Sequence, residues 1–175
     1  MTDPPNQESG TASTADRSDR IRDARRRLLL LYATAAVVYG LDRVTKVLAE
    51  RHLYGRPPVR LIDGAVRLKY ATNAGGAFGL FGGRPWLFFG ATLAICVVIV
   101  VTSPKVASNP GALGLGLILG GAIGNLTDRI VRGPAFSGRV VDFIDFRVWP
   151  IFNLADSAIV IGAFLVALAA FRREP

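Results

Sequence analysis

The sequence contains one cysteine, one histidine and one methionine in 175 residues, and only 19% of its residues are charged. A single cysteine cannot build a disulfide framework, and without a set of His and Cys side chains there is neither a zinc site nor a Cys/His nucleophile pair. Cys96, inside an apolar run, and His52, standing alone, read as packing and surface positions. No metal or cofactor is expected. The formal net charge of +8 comes without a nucleic-acid recognition module, and the basic residues flank apolar runs. That arrangement suits anionic lipid headgroups rather than nucleic acid.

What the chain has in quantity is apolar surface: 51% of its residues are hydrophobic and its mean hydropathy is positive. Soluble domains of this size seldom reach such values. Four apolar segments, roughly Leu28–Leu48, Trp86–Val101, Gly111–Ile130 and Ile151–Phe171, each approach the ~20 residues needed to cross a bilayer. The composition predicts an all-α membrane protein with four transmembrane helices. Residues 1–27, rich in Ser, Thr, Asp, Pro and Arg and without an aromatic residue, are expected to be a disordered polar tail. The first span follows this tail and ends in charged residues rather than a small-residue cleavage site, so it reads as a retained anchor.

Arg25, Arg26 and Arg27 before the first span, and Arg172 and Arg173 after the last, assign both termini to the cytoplasm, including the short tail 172–175. The segment from Arg51 to Arg84 is also basic and would lie outside, which weakens the charge bias. Relative sidedness follows from four crossings alone. The end of span 1, the start of span 2, the end of span 3 and the start of span 4 share one membrane face.

The polar motifs gather at those ends. "LDRVTK" sets Asp42 and Lys46 four residues apart on one helical face. "NAGGAFGLFGG" opens with Asn73 before glycines that permit tight turns. Span 3 carries Gly116, Gly120 and Gly124 at a spacing that lets a neighbouring helix approach. It ends in "GNLTDR", with Asn125, Asp128 and Arg129 on one face, and span 4 opens with "FNLADS", where Asn153, Asp156 and Ser157 repeat the spacing. Each cluster alone has an ordinary reading as an interfacial ion pair or a helix cap. Carboxylates at membrane level, however, usually mark function.

The connecting segments predict a small extracytoplasmic sheet roofing this face. Asp63-Gly64 separates two short runs, and Val66, Leu68 and Tyr70 alternate with Arg67 and Lys69, which is a hairpin signal. "GRVVDFIDF" alternates similarly, with Val140, Asp142, Ile144 and Phe146 on one side and Val141, Phe143 and Asp145 on the other. Asp156 follows Asp142 by 14 residues, and a turn at Pro150 would bring the first over the top of span 4. Two carboxylates held close share a proton, so that one draws a proton from water while the other polarises a carbonyl. This chemistry is aspartic peptide hydrolysis. A Ser/Lys membrane peptidase using Ser157 or Ser137 with Lys46, and a small proton-coupled transporter, are the alternatives from other classes.

"LDRVTK", "NAGGAF", "GNLTDR", "VVDF" and "FNLADSAI", in that order between about Leu28 and Phe171, resemble the lipoprotein signal peptidase family, also called signal peptidase II. The resemblance implies that Asp142 and Asp156 are the catalytic pair, and that Asp42, Lys46, Asn73, Asn125, Arg129 and Asn153 support it. Asp128 is expected to be the structural partner of Arg129, with Asn73 and Asn153 binding the substrate backbone. It further implies an enzyme of the bacterial cell membrane whose site faces the outer leaflet. Its substrates would be prolipoproteins, cut before a diacylglyceryl-modified cysteine, and its inhibitors globomycin-type peptides. Membrane lipids are its other expected partners, and it is expected to act as a monomer.

Overall fold

The computed structural model describes residues 8–74 and 85–171. The part of the "NAGGAFGLFGG" motif from Gly75 onward, Arg84, and the two chain ends lie outside the described residues. Helix α1 spans Glu8–Leu53, strands β1 and β2 span Val59–Ile62 and Val66–Asn73, and helices α2 and α3 span Pro85–Thr102 and Asn109–Val131. Strand β3 (Val140–Asp145) and helix α4 (Leu154–Phe171) complete the chain.

Each of the four helices contains a stretch long and apolar enough to cross a membrane, as the four apolar segments predicted. α3 is the central one, with 56% of its span buried against 22% or less in the other three. Its glycines explain how neighbours come so close. A Cβ on Gly116 or Gly120 would stand 2.5 Å from the carbonyl oxygens of Leu31 and Ala35 on α1, and one on Gly124 would meet the Asp42 carboxylate. Around this seam Leu31, Ala35, Cys96, Ile99, Leu119 and Leu126 form the apolar core. Cys96 is buried and free, as a packing residue should be. The opposite faces of α1, α2 and α4 present large apolar side chains such as Val37, Val44, Val98, Val101, Val160 and Phe164, which is what a lipid-facing surface requires.

Two helix boundaries differ from expectation. α1 extends back to Glu8, so residues 8–27, expected as a disordered tail, are helical. Over residues 16–27 local ion pairs support it: Asp16 with Arg20, Asp19 with Arg22 and Asp23 with Arg27 fall three or four residues apart, the spacing at which opposite charges stabilise a helix. α4 begins at Leu154 instead of Ile151, because Phe152 is held outside the helix by a bridge to Ile144 and Asn153 takes the cap position.

The three strands form one antiparallel sheet in the order β1-β2-β3. The hairpin turns at Asp63-Gly64, where Gly64 has φ +78° and the Ala65 N–H closes the turn on the Ile62 carbonyl at 3.1 Å. A positive φ at that turn position suits glycine. β2 pairs Arg67 with Asp145, Leu68 with Ile144 and Ala71 with Asp142. One side of the sheet packs Leu68, Tyr70, Val141 and Phe143 onto Ala49 and Leu53 at the end of α1. β3 forms as the alternation predicts, but both its faces are covered: Val140, Val141, Asp142, Phe143 and Asp145 are all buried. β3 ends the sheet and packs against both α1 and α3.

Candidate active site

Helix α4 opens with a reciprocal cap. The Asp156 N–H donates to Asn153 Oδ1 at 2.9 Å, and the Asn153 N–H donates back to Asp156 Oδ2 at 3.2 Å. Such a box satisfies two of the orphan donors of a helix N-terminus. A third, the Ala155 N–H, donates to Asp42 Oδ1 of α1 at 3.2 Å. Asp156 is thereby fixed at the first turn of α4, where the helix dipole favours its negative charge.

The cap also carries the link to Asp142. Asn153, fully buried, donates its side-chain amide to Asp142 Oδ1 at 2.7 Å, to Asn125 Oδ1 at 3.2 Å and to the Val141 carbonyl at 3.3 Å. Asn125 in turn donates to Asp156 Oδ1 at 2.8 Å. The two carboxylates are therefore held by two asparagines that also touch each other. Asn73, at the end of β2, hydrogen-bonds Asp142 from the sheet side. Burial first, and the neighbouring Asp156 carboxylate second, push Asp142 up to about 7, against the amides of Asn153 and Asn73 and the charge of Lys46. A group with that poise exchanges a proton near neutrality, which is what acid–base chemistry needs.

Asp145, two residues further along β3, has a different environment. Burial again opposes its charge, but the Arg67 guanidinium at 2.6 Å and the Arg147 N–H at 2.7 Å outweigh it and hold its carboxyl below the usual range. It is a structural anion. Of the two carboxylates in "VVDFIDF", only Asp142 is raised and faces another acid.

Behind the asparagines lies a charged network between α1 and α3. Lys46, with no exposed surface, ion-pairs with Asp42 at 2.8 Å and Asp128 at 3.0 Å and donates to Asn125 Oδ1 at 2.8 Å. The expected Asp42–Lys46 pair is thus present, and it orients Asn125. Asp128 accepts from Arg43 at 2.5 Å, from Arg132 at 3.1 Å and from the Val141 N–H at 3.2 Å. Arg132 extends the network with a two-pronged bond to Glu50 at 2.9 and 3.0 Å.

One expectation is corrected here. Asp128 is not the partner of Arg129; its cations are Arg43, Lys46 and Arg132, because the α3 face that carries Asp128 meets α1. Arg129 instead donates to the Asn125 carbonyl at 3.1 Å, and its Nε has no hydrogen-bond partner among the described residues. Asn153 has a positioning role: its side-chain amide donates to Asp142, Asn125 and the Val141 carbonyl, and its side-chain oxygen accepts from the Asp156 N–H.

The structure also adds residues that the motifs did not single out. Arg43 lies inside "LDRVTK" beside the more regularly spaced Asp42–Lys46 pair, and Arg132 follows Asp128 by four residues, a spacing that allows an ion pair on one helical face. Glu50 and Arg67 carried no local signal; only the helix crossing and the strand register bring them to their partners.

Comparison with known proteins agrees with this architecture. The family model described as "Signal peptidase (SPase) II" matches residues 34–172. The lipoprotein signal peptidase of Rhodococcus jostii is 43% identical over 151 residues, covering 85% of this chain and 76% of that protein. The one from Streptomyces coelicolor is 44% identical over 149 residues (85% and 73%), and that of Desulfitobacterium hafniense 41% over 143 residues (80% and 91%). Two solved bacterial membrane enzymes, determined by the in meso method, superpose with TM-scores of 0.71 and 0.70. They are 30% and 29% identical, covering 81% and 82% of this chain and 87% and 94% of theirs. With described residues of five polar motifs meeting at one buried site and relatives aligned along most of its length, the chain belongs to the signal peptidase II family of lipoprotein signal peptidases.

Proposed function

We propose that the enzyme removes prolipoprotein signal peptides by aspartic hydrolysis, with Asp142 and Asp156 as the catalytic pair, cutting before a diacylglyceryl-modified cysteine. The observation that carries this reading is the Asn125–Asn153 bridge, which holds one raised carboxylate and one helix-capping carboxylate in a common network.

The roles follow from the environments. Asp142, buried and raised, holds the shared proton and donates it toward the scissile carbonyl, increasing its electrophilicity. Asp156, in the first turn of α4 and less enclosed, takes a proton from the attacking water. Collapse of the tetrahedral intermediate breaks the C–N bond, and the proton gained by Asp156 goes to the leaving amine. No cofactor enters these steps. An apolar groove of about 550 Å³, lined by Phe146, Trp149, Phe152 and Val160, reaches Asp156 and gives a lipid-anchored substrate an approach from the membrane side. Globomycin-type peptides would compete at this same site, and both termini would lie in the cytoplasm with the sheet toward the outer leaflet.

The test is cleavage of a lipidated prolipoprotein by the purified protein. Asp142→Asn and Asp156→Asn should each lower turnover by roughly 10²–10⁴-fold or more, the contribution of a positioned proton-transfer group, while thermal unfolding stays cooperative. Asp145→Asn should keep turnover, since that carboxylate is tied to Arg67 and Arg147. Near-normal turnover by Asp142→Asn, or loss confined to Asp145→Asn, would overturn the assignment.

A further inference from the structure

Away from the carboxylates, the sheet carries a second built feature. The register sets Arg60 of β1 directly opposite Arg67 of β2, and Arg67 directly opposite Asp145 of β3. Directly opposed side chains lie on the same face of a sheet, and like charges in that position repel. Asp145 satisfies Arg67 through a 2.6 Å bond. Arg60 has no ion-pair or hydrogen-bond partner among the described residues.

A third guanidinium faces the same place. Arg147 sits just after β3 with φ +65°, a left-handed backbone unusual for a side chain other than glycine. Its N–H is held by Asp145, and its Nη1 donates to the Gly64 carbonyl at 3.3 Å, which pins the side chain across the hairpin turn. Arg60, Arg67 and Arg147 together line a pocket of about 370 Å³ floored by the turn Ile62–Val66, with Asp63 as its only lining carboxylate. Strain retained where cations converge marks a place with a use.

Exposed apolar side chains lie close by in the chain. Ile62, which lines the pocket, is more than half exposed, and Val148 (93% exposed) and Trp149 (64%) directly follow Arg147. Tryptophan beside basic residues is the pattern of a membrane–water interface. A free anion would use the guanidiniums alone, whereas a phospholipid uses both the cations and the exposed apolar residues next to them.

We propose that the pocket formed by Arg60, Arg67 and Arg147 binds the phosphodiester headgroup of an anionic phospholipid, with Trp149 and Val148 against its upper acyl chain. The site relieves the Arg60–Arg67 opposition and seats the sheet at headgroup depth. The arginine pocket itself does not include Asp142 or Asp156, although Trp149 and Val148 also line the groove that reaches Asp156.

Native mass spectrometry of the full-length protein in neutral detergent tests this, with phosphatidylglycerol, phosphatidylcholine and inorganic phosphate as probes. The wild type should retain phosphatidylglycerol at least ~10-fold more tightly than phosphatidylcholine, and inorganic phosphate should not displace it. Arg60→Gln with Arg147→Gln should weaken phosphatidylglycerol binding roughly thirtyfold, the product of two basic contacts at an anionic surface. Arg60→Gln alone, at an exposed position that holds nothing else in the described structure, should weaken it about fivefold and guards against misfolding of the double variant. Arg17→Gln with Lys105→Gln removes the same charge from the opposite end of the bundle and should leave binding intact. Unchanged binding in the Arg60 variants, equal loss in the Arg17/Lys105 protein, equal retention of phosphatidylcholine, or displacement by inorganic phosphate would each overturn the proposal.

Discussion

Asn153 donates to Asp142 across 2.7 Å while its own carbonyl oxygen accepts from the Asp156 N–H at 2.9 Å, so one side chain both caps α4 and sets the position of a carboxylate on β3. The two roles can be separated by substitution. Asn153→Ala loses both, costing about 1 kcal/mol for the cap and about 10²-fold in turnover from misplacement of the acid. Asn153→Asp restores the cap, since Asp and Asn serve equally well there, but it offers no amide to Asp142 and adds a third carboxylate. Unfolding temperature should therefore recover in Asn153→Asp and turnover should not. Recovery of turnover would reduce Asn153 to a helix cap.

The pH dependence of stability should carry the signature of Asp142. A carboxyl raised from 3.8 to about 7 binds its proton more tightly in the folded state. Stability then falls as pH rises from about 4 to about 7, the reverse of the usual paired aspartate. Asp142→Asn removes the titration and still accepts the Asn153 amide. It should unfold at a higher temperature than the wild type at pH 8, with the gap closing toward pH 5. A gap that is constant with pH would mean that Asp142 does not titrate in this range. Turnover by the wild type should decline as pH rises through about 7, where the protonated acid is lost.

Asp128 and Arg129 are adjacent in sequence but belong to different parts of the molecule. Asp128, fully buried, answers three cations and a backbone N–H, so Asp128→Asn should destabilise by about 3 kcal/mol or more by leaving Lys46 undercompensated. Arg129 touches the Asn125 backbone and lies near Asp156 and Asp142. Arg129→Lys cannot reproduce the planar fork, and should lower turnover about tenfold or more with a smaller loss of stability. Thermal unfolding and cleavage measured on both variants in one detergent decide the matter. An Arg129→Lys protein with full turnover would assign Arg129 a merely interfacial role.

Much of this arrangement was legible in the chain because its determinants are short-range. Four apolar runs gave the helices, Asp63-Gly64 gave the hairpin, and the Asp42–Lys46 spacing gave an ion pair that forms as drawn. The motif "FNLADS" marks Asn153 as a polar residue of the site, but a motif shows which side chain is present and not which of its atoms are engaged, so the double link to Asp142 and Asp156 appears only in the fold. Asp128 was misassigned for a related reason: i and i+1 neighbours on a helix point to different sides, and only the α1–α3 crossing shows which side finds cations. The helical continuation of α1 toward Glu8 is hard to read from the chain, because composition there argues for disorder while the acid–base spacing from Asp16 onward argues for a helix.

The α1–α3 network also constrains how the protein is made. When α1 first enters the bilayer it brings Asp42, Arg43 and Lys46, with Glu50 beyond them, and the partners that complete their bonding belong to α3, its C-cap and α4, 79 to 113 residues later in the chain. Until then Arg43 lacks Asp128, and Lys46 has only Asp42. α1 is therefore a provisional occupant of the membrane during synthesis, dependent on water or on the insertion machinery at its charged end. The arrival of α3 converts it into a permanent one.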